Sequence, residues 1–227
     1  MYTLYIANKN YSSWSLRPWS VMSQLGIPFE EKLVPFEQGC NWDSFRAFSP
    51  TGKVPCLLDG DRVVWDSLAI VEYLAERHDG VWPSDPDARA WARCAAAEMH
   101  SGFGALREQA SMNCGVRVRL HHLTDALKSD IARIDELWNE GLVRFGGPFL
   151  AGGHFSAVDA FFVPVAFRIL TYDLPVQAST AALAEQLRQL PSSQRWYQDA
   201  LRETWRDSAH DDEAHLAGEW LEDLRAR

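Results

Sequence analysis

The amino-acid sequence predicts an α/β domain followed by an all-α helical-bundle domain. Three observations carry that expectation. Strand-like and helix-like runs alternate over the first 80 residues. A break rich in proline, glycine and aspartate follows, Asp79-Gly80-Val81-Trp82-Pro83-Ser84-Asp85-Pro86. Beyond it, apolar residues recur at helical spacing and no run reads convincingly as a strand. The expected organisation is a first domain over residues 1–80, a linker over 81–86 and a helical domain over 87–227.

Within the first domain, residues 2–6 (YTLYI) are aromatic and β-branched and read as a strand. Residues 15–25 read as a helix, with Leu16, Trp19, Met22 and Leu25 spaced near three; Gly26 stops it and Pro28 follows. Residues 29–34 give a second strand, so the opening is a βαβ unit, expected to be a parallel pair with a right-handed crossover. Residues 38–51 look irregular or briefly helical. Residues 54–58 and 62–65 flank Asp59-Gly60-Asp61, a hairpin signal. Residues 66–78 place Leu68, Val71 and Leu74 or Ala75 on one helical face. The order βαβ, ββ, α is that of a thioredoxin-like domain.

In the second domain, residues 87–109 carry Trp91, Ala95, Met99, Phe103 and Leu106 at helical spacing, and residues 120–143 carry Leu123, Leu127, Ile131, Ile134 and Leu137 or Trp138. Further helices fit residues 156–170, 181–190 and 192–205. The charged residues 210–227 read as a surface helix or a loose tail.

Composition excludes several functions. Hydrophobic residues make up 47% and charged residues 23%, ordinary for a globular chain of 227 residues. Ten tryptophans suggest aromatic packing or an apolar binding surface. A net charge of −9 argues against a nucleic-acid partner, which needs clustered Lys and Arg. No apolar run reaches the ~20 residues that span a bilayer, so no membrane partner is expected. MYTLYIANKN lacks the basic start and apolar core of an export signal. Cys40, Cys56, Cys94 and Cys114 are scattered without a CxxC pair, which suggests reduced structural thiols, a cytoplasmic location and neither zinc nor a redox dithiol.

Three motifs carry chemistry. Gly52-Lys53-Val54-Pro55 precedes an apolar strand, Asp66-Ser67 opens a helix, and Tyr11-Ser12-Ser13-Trp14-Ser15-Leu16-Arg17 joins the first strand to the first helix. Together with the two-domain layout they resemble the cytosolic glutathione transferases. The serine stretch resembles the zeta-class motif, Ser-Ser-Cys followed shortly by Arg, with Trp14 standing where that class has cysteine. The resemblance implies a thioredoxin-like glutathione-binding domain, a helical domain carrying the second-substrate site, glutathione as co-substrate, and a homodimer.

Each motif also has a physical reading. Pro18 lacks an N–H and suits a helix's first turn, which would place the N-cap at Ser15 and leave Ser12 and Ser13 in the loop before it. There a hydroxyl can donate to a thiolate near the positive end of the helix dipole. A hydrogen bond to a charged group contributes roughly 1.5–3 kcal/mol, enough to lower a thiol pKa of ~8.5 by about one to two units. The competing reading is that these serines only start a helix. Position in the motif favours Ser12 over Ser13, and Arg17 would order the loop or the domain interface.

Frequency alone predicts a trans Val54–Pro55 bond; the resemblance implies cis, with the Val54 backbone paired to the tripeptide's cysteine. Lys53 is either a partner for the glycine carboxylate or a surface charge. Asp66 and Ser67 are good helix caps. The resemblance implies that Ser67 holds the γ-glutamyl carboxylate and Asp66 the α-amino group. Ser156-x-x-Asp159 is a capping box with a structural role, and Pro164 should kink or stop its helix. Met99, His100, Phe103 and Arg107 form a stripe that is either core or second-substrate pocket. His121-His122 point apart, and the His210 to His215 stretch reads as a solvated tail, so neither is expected to bind metal. The expected activity is thiolate addition to, or substitution on, a small electrophile. The rivals are glutathione-dependent isomerisation of a small unsaturated acid, glutathione-dependent reduction of disulfides or peroxides, and a non-catalytic interaction module.

Overall fold

The computed structural model describes residues 1–36 and 41–226. Cys40 and the first part of the 38–51 stretch lie outside the described residues.

The first strand, β1 (Tyr2–Ile6), pairs in parallel with β2 (Phe29–Leu33) after the helix α1 (Ser13–Gln24). A short helix α2 (Trp42–Arg46) leads to the hairpin β3 (Cys56–Asp59) and β4 (Arg62–Trp65). Strand β3 pairs antiparallel with β1, giving the order β2-β1-β3-β4. Leu4, Ile6 and Leu57 face the core, and α3 (Ser67–Ala75) covers them with Ile70, Val71 and Leu74. The strand, helix and hairpin pattern of the sequence is therefore the architecture observed.

The start of α1 differs from expectation. The helix begins at Ser13 with Ser12 as N-cap, and Leu16 donates to the Ser12 carbonyl at 3.2 Å. Pro18 thus lies inside the helix. Tertiary packing overrides the proline preference: Leu16, Trp19, Val21 and Met22 are all buried. Ser15 does not cap. Its hydroxyl accepts from the Ala7 N–H at 3.4 Å and from Ser12 Oγ at 2.7 Å, tying the end of β1 to the helix.

The helical region opens with α4 (Pro86–Ser101), capped by Asp85, whose carboxylate accepts from the Ala88 N–H at 2.8 Å. The expected single helix over 87–109 is broken. Gly102 is extended, Phe103 takes a left-handed turn at φ 57°, and α5 (Gly104–Gln109) starts afresh. Next come β5 (Val116–Leu120), α6 (Asp125–Phe145) and α7 (Ala157–Tyr172). They are followed by α8 (Ala178–Gln189), α9 (Pro191–Arg202), α10 (Ser208–Ala217) and β6 (Gly218–Asp223). Helix α7 is the buried axis, packed against α1, α4 and α8, and it continues past Pro164 to Tyr172. Both halves of the Ser156–Asp159 capping box are present.

Two features depart from an all-helical second half. Strands β5 and β6 form an antiparallel ribbon from segments 100 residues apart, a pairing that local periodicity does not encode. The charged 210–227 stretch is also tied down. Arg225 bridges Asp211 at 2.7 Å and Asp223 at 2.8 Å, and donates to the Tyr11 hydroxyl at 2.9 Å. That bond brings the end of the chain to the entrance of α1.

Candidate functional site

Two adjoining cavities lie around the N-terminal end of α1. The smaller, about 460 Å³, is lined by Trp14, Thr51, Lys53, Val54, Pro55, Trp65, Asp66 and Ser67. All five residues expected to hold a tripeptide line this one cavity. The larger, about 520 Å³, adds Ser12, Ser13, Arg107, Arg168 and His210 and shares Trp14, Lys53 and Val54 with the first.

Local structure explains how the smaller cavity is built. Gly52 sits at φ +62°, and a Cβ there would stand 2.7 Å from Trp42 Cε3; only glycine serves on both counts. The loop then passes the Val54–Pro55 bond, which is cis. On the facing side Asp66 is the N-cap of α3, its carboxylate accepting from the N–H groups of Leu68 at 2.8 Å and Ala69 at 3.4 Å. Asp66 takes φ 75° and ψ 135°. A residue with a Cβ adopts that region at a cost of about 1–3 kcal/mol, and such strain clusters at binding sites. Its second oxygen lies 3.4 Å from His100 Nε2. Burial holds the His100 imidazole below its usual pKa, against the pull of Asp66.

The serines occupy the rim of the larger cavity and differ in what they bond. Ser12 Oγ donates to Ser15 Oγ at 2.7 Å. Ser13 Oγ accepts from Arg168 Nη2 at 3.4 Å, which leaves its own proton uncommitted to that bond. Both residues are buried.

Behind the serines stand three arginines. Arg17 is fully buried; its Nη1 donates to Ser67 Oγ and its Nη2 to the Met99 carbonyl, each at 3.4 Å. Arg168, 3% exposed, donates through Nε to the Ala110 carbonyl at 2.8 Å. Arg107 donates to the carbonyls of Gly102, at 3.0 Å, and Met99. Trp14 lies between two of them, with Arg17 Cζ 4.1 Å and Arg107 Cζ 4.7 Å from the ring centroid. Burial, then mutual repulsion, pushes the Arg168 guanidinium down to about 10 and Arg17 well below its ordinary range. Arginine keeps its proton at neutral pH, so the shift shows how unfavourably the two are surrounded.

A match to the family described as "Glutathione S-transferase, N-terminal domain" covers residues 11–77. The glutathione S-transferase-like protein OpS6 of Beauveria bassiana is 28% identical over 161 residues, which span 65% of this chain and 72% of that protein. Glutathione S-transferase Z2 of Arabidopsis thaliana is 27% identical over 201 residues, 82% of this chain and 88% of its own length. Residues 11–77 thus match the glutathione S-transferase N-terminal domain, and similarity to a protein of that name extends over 82% of the chain. The chain shares the fold of that enzyme class as well. The theta-class glutathione S-transferase of Xanthomonas axonopodis pv. citri, solved with glutathione bound, superimposes with a TM-score of 0.61 at 26% identity over 86% of this chain and 96% of that one.

Within this chain the expected second-substrate stripe divides. Arg107 lines the larger cavity, His100 lies beside Asp66, and Met99 and Phe103 belong to the core and line neither cavity. The break at Gly102 and Phe103 separates them: it turns α5, and Arg107 with it, away from the axis of α4. Sequence reasoning passed over Trp14, Phe36, Arg168, His210 and Glu213 as cavity residues. Arg168 carries a readable signal, a lone charge inside the apolar run Val163-Pro164-Val165-Ala166-Phe167-Arg168-Ile169-Leu170. His210 carries none. It reaches the cavity only because α10 folds back, stacking its ring against Tyr11 and Phe36 while Nδ1 meets Asp207.

Proposed function

We propose that this protein binds glutathione in the smaller cavity and directs its thiolate, activated by a serine hydroxyl, at a small electrophile held in the larger one. The observation that carries the reading is the union of Lys53, Val54, Pro55, Asp66 and Ser67 in a cavity that meets a serine-lined one at Trp14. Lys53 would pair with the glycine carboxylate, the Val54 backbone with the cysteine unit, Ser67 with the γ-glutamyl carboxylate and Asp66 with its amino group. Relatives named glutathione S-transferase and a fold neighbour with glutathione bound support the same assignment.

Of the two serines, the hydrogen bonding favours Ser13. Its oxygen already accepts from a cation, so its proton is both available and polarised toward an anion, whereas the Ser12 proton serves Ser15. Serine does not ionise in this scheme. It stabilises the thiolate, which forms the new carbon–sulfur bond as the leaving group departs with the displaced electron pair. The reading includes the division into residues 1–80, 81–86 and 87–227, a cytoplasmic location and a homodimer. Among the described residues, no helix is long and apolar enough to cross a membrane.

Calorimetric titration with glutathione and a conjugation assay with chlorodinitrobenzene test the proposal. Saturable binding, with turnover above the uncatalysed rate, is expected. A protein that is folded but does not bind glutathione overturns it.

A further inference from the structure

Two arginines, Arg107 and Arg168, line the larger cavity. The chain carries 31 acidic residues, and elsewhere its arginines use them: Arg133 bridges Glu98 and Glu136, and Arg225 bridges Asp211 and Asp223. Among the described residues, none of Arg17, Arg107 and Arg168 takes part in an ion pair. Their hydrogen-bond partners among the described residues are carbonyls and hydroxyls, and Arg17 Nε and Arg168 Nη1 are buried without a partner among those residues. The nearby carboxylates attract them only from beyond contact: Asp66, which attracts Arg17, caps α3, and Asp130, which attracts Arg107, accepts from the Leu106 N–H at 2.9 Å. Glu213 lines the cavity too but makes no ion pair with Arg107 or Arg168.

Burying positive charge without a partner is costly, and a site that keeps two such groups at a cavity wall favours an anion there. Guanidinium suits a carboxylate, offering paired donors in one plane. The rest of the lining narrows the ligand further, because Trp14, Phe36, Trp42, Phe45 and Met112 offer apolar, aromatic surface.

We propose that the second substrate is an electrophilic carboxylic acid with an apolar or aromatic body, its carboxylate held by Arg168 and Arg107. The Arg168 contact to Ser13 places that carboxylate beside the hydroxyl assigned to the sulfur, so the two arginines set the electrophilic carbon relative to the thiolate. The substrate class rests on the glutathione reading above; the anion site itself does not.

The first test needs no glutathione. Binding of nitrobenzoate and of nitrobenzamide, both unreactive, is compared by calorimetry on the intact wild-type protein. The acid is expected to bind at least about ten-fold tighter, a difference of ~1.4 kcal/mol, and to lose that advantage as salt rises. Equal binding of the two overturns the proposal. The second test measures conjugation of a chloronitrobenzoate and its amide, each relative to its uncatalysed rate with glutathione. Wild type should prefer the acid, and Arg107→Gln and Arg168→Gln should each reduce the acid-to-amide ratio of kcat/KM about ten-fold or more. If either variant slows acid and amide equally while raising the pKa of bound thiol, the arginines serve the sulfur and the proposal is wrong. Preference for the acid in a protein that does not bind glutathione would keep the anion site and discard the transferase reading. Conjugation with no such preference would do the reverse.

Discussion

Removing the Ser13 hydroxyl tests the chemistry most directly. Ser13 Oγ accepts from Arg168 Nη2 at 3.4 Å, while the Ser12 proton is engaged by Ser15 Oγ at 2.7 Å. A hydrogen bond to a charged acceptor contributes roughly 1.5–3 kcal/mol, so Ser13→Ala should raise the pKa of the bound thiol by about one to two units. Activity at pH ~6.5 should then fall about 10- to 100-fold, and recover as the pH approaches the ordinary thiol value of ~8.5. Ser12→Ala should move the pKa by less than about half a unit, because the oxygen it bonds is Ser15's and not the sulfur. Ultraviolet titration of thiolate absorbance with glutathione bound gives the pKa, and kcat/KM against pH gives the kinetic counterpart. An unchanged pKa in Ser13→Ala, with glutathione affinity intact, refutes serine activation at this position. A larger shift in Ser12→Ala reverses the assignment.

Two further predictions concern how the site is held. Asp66→Ala keeps the positive-φ strain and loses the cap, so urea denaturation should show a loss of about 1–2 kcal/mol. Asp66→Gly relieves the strain and should be more stable than the alanine variant by about 1 kcal/mol. Both should bind glutathione at least about ten-fold more weakly; equal stability of the pair would show that the backbone is not strained. Burial pushes the Asp159 carboxyl up to about 6, against the N–H groups of Leu150 and Ser156 that favour its charge. The folded protein therefore keeps a proton that the unfolded chain releases near pH ~4. That contribution is present below pH ~4 and is lost as the pH rises through the folded value, with a slope of at most about 1.4 kcal/mol per pH unit. Asp159→Asn should be less stable throughout, yet lack this part of the slope in urea midpoints measured across the window. An unchanged slope would locate the titration elsewhere.

Much of the smaller cavity was legible in the sequence, because short-range patterns build it. Gly52, Lys53, Val54 and Pro55 form one loop, Asp66 and Ser67 one helix start, and the alternation of strand and helix signals gives the sheet that brings the two together. The five residues named from those motifs line one cavity for that reason. The start of α1 is not legible in the same way: the proline preference points to Ser15 as the cap, whereas packing of α1 carries the helix back to Ser13.

What the sequence determined is the set of elements with strong local periodicity and the motif loops between them. Only the tertiary structure decided the second half of the site. Arg168 becomes a cavity residue through the burial of α7, Arg107 through the turn at Phe103, and His210 through the return of α10, held by an Arg225–Asp211 pair and by β6 against β5. Each depends on residues far apart in the chain meeting across packed helices, and neither hydrophobic period nor residue spacing carries that information.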